Sequence, residues 1–252
     1  MARVREDDLN MLERSLEVLQ AFRPRGGALR LADLVERTGL PKTTVHRLAR
    51  QLTDLQLLEQ HDGKYQLGLT LFELSELVPI KQRLREAAMP YMQDLFAATH
   101  GTIHLGVPDG RDVVYVEKIR GHDGVELPSR VGGRLPLTCT GLGKALLAHS
   151  EPVEIKELLS HPLARYTART VTDPVRLTKE LSAVRTTGVA VDRGEATAGG
   201  ACVAAPIMVG RRAVAALSIS VPIENFEPAR LAAAVQAAAR GLSRRMSPKV
   251  AA

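Results

Sequence analysis

Residues 31–50 read Leu-Ala-Asp-Leu-Val-Glu-Arg-Thr-Gly-Leu-Pro-Lys-Thr-Thr-Val-His-Arg-Leu-Ala-Arg, and their spacing decides the first third of the chain. Leu31, Leu34 and Val35 fall on one helical face that stops at Thr38-Gly39. Pro41, well placed at a first helical turn, opens another stripe: Val45, Leu48, Leu52 and Leu55. Gly39 can adopt a positive φ, so two helices cross there and the second is left exposed. Its outward side then carries Lys42, Thr43, Thr44, His46, Arg47 and Arg50. Short hydroxyls and long cations near a helix N-terminus suit base edges and phosphates in a major groove. Upstream, Leu9, Leu12, Leu16, Leu19 and Phe22 predict a helix ended by Pro24, Gly26 and Gly27. Downstream, Leu57–Gln60 and Tyr65–Leu67 read as strands joined through His61-Asp62-Gly63-Lys64, a hairpin whose tip sets Lys64 within reach of a phosphate. Helix, helix, turn, helix, hairpin is a winged helix-turn-helix. Such a domain binds duplex DNA or, as the rival reading, docks onto proteins without any ligand.

Composition narrows the rest. The 252 residues carry 34 Lys and Arg against 28 Asp and Glu, a net charge of +6. The excess is local: residues 23–50 hold Arg23, Arg25, Arg30, Arg37, Lys42, Arg47 and Arg50 against only Asp33 and Glu36. Four Tyr, four Phe and no Trp leave few aromatics for stacking single-stranded bases, which favours duplex DNA. No apolar run reaches the roughly 18–20 residues of a membrane span. The charged N-terminus lacks the apolar segment of a signal peptide, so a cytoplasmic location is expected. Two cysteines form neither a disulfide framework nor a four-ligand zinc site.

Beyond the hairpin, Leu69–Leu77 predicts a helix stopped at Pro79, with another over about 81–99. From Thr102 the pattern turns α+β, giving expected domains at 1–69, a helical linker at 70–82 and a second domain at 83–252. Strands are expected at Ile103–Val107, Asp112–Ile119, Val189–Asp192, Cys202–Val209 and Ala213–Val221, and helices at Gly141–His149, Val153–Ser160, Pro174–Thr187 and Pro228–Met246. Thr140 can cap the helix opening at Gly141-Leu142-Gly143, whose free amides, with Lys144 adding charge, form an anion site. Ser218 and Ser220 share one face of a strand and either bond to backbone or line a cavity. Asp192 accepts a ligand hydroxyl or ties down the loop after Arg193. Arg193 and Glu195 read as salt-bridge partners in that loop. Cys139 and Cys202, with His104 if it lies nearby, could form a redox or metal sensor, although buried cysteines usually act as small apolar residues. The run Gly141-Leu-Gly-Lys-Ala is not a phosphate loop, since Thr138 replaces its first glycine and Ala145 its metal-binding hydroxyl.

Three separated motifs carry a resemblance. Residues 38–48 (Thr-Gly-Leu-Pro-Lys-Thr-Thr-Val-His-Arg-Leu), 135–145 (Leu-Pro-Leu-Thr-Cys-Thr-Gly-Leu-Gly-Lys-Ala) and 188–195 (Gly-Val-Ala-Val-Asp-Arg-Gly-Glu) are similar to those of the IclR family of bacterial transcriptional regulators. The likeness runs from about Asn10 to Arg245. It implies a winged-helix domain, a linker helix and a GAF-like domain that binds a small organic acid. It also implies homodimers, which can pair into tetramers, on a palindromic operator. The positions matching the family pocket are Leu127, Leu135, Gly141, Leu142, Asp192, Cys202, Ser218 and Ser220. Two departures stand out: Ala32, where Ser or Thr often starts the second helix, and Cys139, where Ala or Ser is ordinary. The resemblance implies a regulator, here expected to be a repressor of a catabolic operon, with no catalytic residue, resident metal or cofactor.

Overall fold

The computed structural model describes residues 10–23, 26–121 and 127–247, with backbone alone for 79–82. Leu9, Pro24 and Arg25 of the sequence reading lie outside the described residues. The chain divides into two units, one ending at Pro79 and the other beginning at Ile80.

The first unit holds α1 (Met11–Gln20), α2 (Leu31–Thr38), α3 (Lys42–Asp54) and a three-stranded antiparallel sheet. Its strands are β1 (Leu29–Arg30), β2 (Leu58–His61) and β3 (Lys64–Leu67), in the order β1-β3-β2. A reciprocal capping box starts α1: the Glu13 amide donates to Asn10 Oδ1 at 3.1 Å and the Asn10 amide to Glu13 Oε2 at 2.7 Å. The N-cap of α2 is Arg30 rather than Ala32, and Asp33 accepts the Arg30 amide at 2.8 Å. Gly39 has φ of 71° and ends α2. Pro41 caps α3, one residue ahead of its expected place inside the helix. Asp62 and Gly63, with φ of 50° and 70°, close the hairpin with both central residues left-handed, the two-residue turn that matches strand twist. The two-residue β1, absent from the sequence reading, pairs Leu29 with Tyr65.

Val18, Ala21, Phe22, Leu34, Val45, Leu48, Leu52, Leu58 and Tyr65 form the core of this unit. The apolar stripe expected along α1 divides: Phe22 is buried, but Leu12 is 82% and Leu16 52% exposed. Helical spacing defines a stripe without saying what covers it. Helix α4 (Leu69–Glu76) buries no residue and leaves Leu69, Phe72 and Leu74 exposed.

The second unit is a six-stranded antiparallel sheet between two helical layers. Its strands β4 (Thr102–Asp109), β5 (Asp112–Ile119), β6 (Arg134–Pro136), β7 (Ala190–Arg193), β8 (Gly200–Val209) and β9 (Arg212–Pro222) lie in the order β6-β5-β4-β9-β8-β7. Against one face pack α5 (Pro79–Thr99) and α9 (Pro228–Met246); against the other, α6 (Gly141–Leu147), α7 (Pro152–Leu159) and α8 (Pro174–Thr187). Alternation along the strands sorts the side chains between these layers. Ile103, Leu105, Val203, Ala205, Ile207, Leu217 and Ile219 meet α5 and α9, while Cys202, Ala204 and Ala216 meet the α6 side.

Helix α6 lies close over the sheet because its first turn has little bulk. A Cβ on Gly143 would come within 2.3 Å of the Leu137 carbonyl oxygen and 2.4 Å of its Cα. Backbone cannot yield as a flexible side chain can. We therefore expect Gly143→Ala to cost about 3 kcal/mol, the upper part of the usual range for overpacking, read as a lowered urea midpoint with an unchanged slope. A melt indistinguishable from the parent would contradict the close packing.

Candidate functional site

The alternation that buries Ile103, Leu217 and Ile219 on one face sends His104, Ser218 and Ser220 to the other. In the ladder Ser218 stands opposite both His104 and Ala204, and Ser220 opposite Thr102 and Cys202. These residues meet the start of α6 around a cavity of about 30 Å³. All eight positions expected of the pocket line it: Leu127, Leu135, Gly141, Leu142, Asp192, Cys202, Ser218 and Ser220. His104, Tyr115, Ser129, Thr140, Ala196 and Thr197 also line it, with Pro128, Gly200 and Ala201. Of these, Tyr115 was legible from its place in the alternating β5 run. Ser129 lies in irregular chain, where no periodicity signals position.

Several individual expectations need correction. Lys144 is not in the cavity wall, and its charge reaches the site only by acting on Asp192 from behind. Its side chain is 1% exposed and its ammonium donates to Glu195 Oε1 at 2.5 Å and Glu180 Oε2 at 2.7 Å. The charge instead ties α6 to α8, through Glu180, and to the loop after β7, through Glu195. Glu195 is thus a salt-bridge partner as expected, but of buried Lys144. Arg193 instead lies over the Phe226 ring, 4.9 Å from its centroid. Asp192 accepts the Glu195 amide at 2.7 Å and so anchors that loop while also lining the cavity. Thr140 accepts the Gly143 amide at 3.0 Å, the expected N-cap. The Gly141 amide faces the Cys202 sulfur, and a Cβ on Gly141 would lie 2.8 Å from that atom.

The electrostatics are those of a desolvated site. Burial, helped by nearby Lys118, holds His104 down to about 3, so its ring is neutral. Burial raises the Asp192 carboxyl to about 7, partly opposed by the Glu195 amide bond. Both thiols are buried, and burial pushes Cys139 and Cys202 up to about 12. Neither has the thiolate character that sensor chemistry needs. Among the described residues no cluster of three or more His, Cys, Asp or Glu fits a metal ion.

In the first unit α3 presents Lys42, Thr43, His46, Arg47 and Arg50 to solvent and leaves Thr44 half-buried. Its opposite face, Val45, Leu48, Ala49 and Leu52, is locked into the core. Lys64 is exposed at the hairpin. No helix among the described residues is long and apolar enough to cross a membrane.

A rigidly seated, cation-bearing helix next to a β-wing in one unit and a polar cavity in the other match known proteins. Residues 11–62 match the model of the IclR helix-turn-helix domain, and residues 79–244 match that of the C-terminal region of bacterial IclR transcriptional regulators. The chain belongs to the IclR family. It is a DNA-binding transcriptional regulator with an α+β fold, and its relatives are named as regulators rather than enzymes. The XynR regulator of Escherichia coli is 34% identical over 228 residues, covering 89% of this chain and 90% of its own. The KdgR regulator of Escherichia coli is 35% identical over 223 residues, covering 86% and 85%. An IclR homologue from Microbacterium hydrocarbonoxydans, solved in complex with 4-hydroxybenzoate, superposes with a TM-score of 0.86 at 32% identity, covering 93% of this chain and 98% of its own.

Two measurements follow. The thiols should resist alkylation at neutral pH in the native protein and react fully in denaturant; fast native labelling would reinstate a thiol sensor. For Asp192, a folded value near 7 against an ordinary 3.8 means that the native state keeps a proton which the unfolded chain releases. The associated stability is complete below about pH 4 and is lost as pH rises through about 7. Asp192→Asn retains an acceptor for the Glu195 amide but cannot titrate. Its decline in Tm between mildly acidic and mildly alkaline buffer should be smaller than the parent's, and an equal or steeper decline would refute the raised value.

Proposed function

We propose that the protein is a repressor of a catabolic operon whose affinity for a palindromic operator changes when a small organic acid occupies the cavity beneath α6. The observation that carries this reading is the convergence there of Ser218, Ser220 and the α6 N-terminus, with Leu127, Leu135 and Leu142 in the same wall. Hydroxyls and helix-start amides are carboxylate partners, and Leu127, Leu135 and Leu142 suit the carbon body. A cavity of about 30 Å³ is close to the volume of one water, so any acid needs its walls to move apart, and a short aliphatic 2-oxo acid needs the least movement. The 4-hydroxybenzoate held by the Microbacterium relative supports the second reading, an aromatic hydroxy acid, which needs the walls to move further apart.

On DNA, Lys42, Thr43, Thr44, His46, Arg47 and Arg50 are the proposed readers of groove and backbone, with Lys64 on a flanking phosphate. Leu12 and Leu16 of α1, with Leu69, Phe72, Leu74 and Leu77 in and beside α4, supply exposed apolar surface for a homodimer. The proposed domains are 1–69 for DNA, 70–82 as a helical connection and 83–252 for the effector. Effector binding then changes the spacing of two recognition helices, a coupling of about 1–3 kcal/mol in typical allosteric proteins.

The test is operator binding, with and without acid, by the full chain. Arg47→Ala should weaken it by about 1–3 kcal/mol and relax one base position, whereas a phosphate-only role lowers affinity uniformly and flattens the salt slope. Ser220→Ala should bind the operator normally but lose the response to acid. If a saturating acid alters neither affinity nor footprint of the parent protein, the effector mechanism is wrong.

A further inference from the structure

Behind the cavity, a chain of hydrogen bonds has a direction that can be read from its first member. Lys118, opposite His104 on the neighbouring strand, sends its ammonium to Ser129 O at 2.7 Å and to Ser129 Oγ at 3.1 Å. An ammonium only donates, so Ser129 Oγ accepts there. The Ser129 hydroxyl is left with its own proton to place, and the acceptor within reach among the described residues is His104 Nε2, at 2.8 Å. Nε2 therefore accepts, and the single proton of a neutral imidazole sits on Nδ1. That nitrogen faces Ser218 Oγ at 3.4 Å and Ser220 Oγ at 3.5 Å, both longer than a good hydrogen bond. The Tyr115 ring, edge-on with centroids 5.2 Å apart, packs against the imidazole and restrains its rotation. His104 thus holds a buried N–H whose partners among the described residues are these two long contacts to the cavity serines. A buried donor in that state is costly until a closer group accepts from it.

We propose that His104, locked as its Nδ1–H tautomer by Lys118 and Ser129, is a specificity-determining residue that selects a carboxylate at the Ser218/Ser220 end of the cavity. This rests on the reading of the cavity as an organic-acid site. A carboxylate supplies Nδ1–H with a charged acceptor in place of the two long serine contacts, while taking hydroxyl protons from the serines. His104 contributes direction, because its proton cannot turn away as a serine hydroxyl can. Lys118 is a positioning residue that acts through the imidazole, and Ser129, itself in the cavity wall, sets the tautomer that the nitrogen spectrum reads.

The experiment combines imidazole nitrogen NMR with calorimetry on the full chain, using pyruvate and 4-hydroxybenzoate as separate probes. The expected spectrum at neutral pH shows His104 protonated on Nδ1 alone, and Ser129→Ala brings the Nε2–H form into the mixture. His104→Leu and Ser129→Ala should each weaken the bound acid by about tenfold or more, the loss usual for a hydrogen bond to a charged group. His104→Asn, which keeps a side-chain N–H, should recover most of that loss. Ser129→Ala removes one oxygen and guards against a result caused by misfolding at position 104. Protonation on Nε2 in the parent overturns the proposal, as does acid affinity unchanged in both His104→Leu and Ser129→Ala. If the parent binds neither probe, the organic-acid reading falls and this inference with it. If it binds one and the variants match it, only this inference falls.

Discussion

The second unit depends on how closely α6 approaches the sheet. Gly141 and Gly143 have no Cβ where one would strike the Cys202 sulfur or the Leu137 backbone. Gly141 therefore lets the helix start sit down on β8, where its amide faces Cys202, and Gly143 lets the turn at Leu137 pack against it. Buried Lys144, held between Glu180 and Glu195, fixes the same helix from its other side. Removing Lys144 would leave Glu195 buried without its counter-charge, which is far more costly than the pair itself is stabilising. Two small residues and one buried ion pair thus fix the roof of the cavity.

The floor has a different physical origin. Strands β4, β8 and β9 are nearly saturated with small and aliphatic residues, and their alternation sorts an oily face under α5 and α9 from a face that carries His104, Cys202, Ser218 and Ser220. Desolvation acts on all of these groups in one direction, towards the uncharged form. It neutralises His104, raises Asp192 and suppresses both thiols. A site made this way presents neutral hydrogen-bond donors rather than cations to its ligand. Such a site distinguishes ligands by geometry more than by long-range attraction.

In the first unit the division of labour is simpler. One face of α3 is locked into the core by Val45, Leu48, Ala49 and Leu52, so the other presents its cations in a defined register. The leucines left exposed on α1 and α4 are the apolar surface proposed above for a homodimer.

Much of this was legible beforehand, for identifiable reasons. Period-two and helical spacing, Gly39, the Asp62-Gly63 turn and the Thr140 cap are local, and each matches the element it predicts to within a residue or two. Local rules also placed Ser218 and Ser220 on one side of a strand. They did not find β1 or β6, which are too short to carry a pattern. They did not say what covers Leu12, Leu16 or Lys144, because whether a side chain is covered depends on residues distant in sequence. Only the folded chain decided that Lys144 meets Glu195 and Glu180, that the Gly141 amide faces Cys202, and that His104 lies between Ser129 and the two serines. Those are pairings across 25 or more positions of sequence, made by the strand order and the descent of α6 onto the sheet. The sequence by itself determined the elements and the family; tertiary packing decided which charges are paired, which donors are left over, and therefore what the cavity can hold.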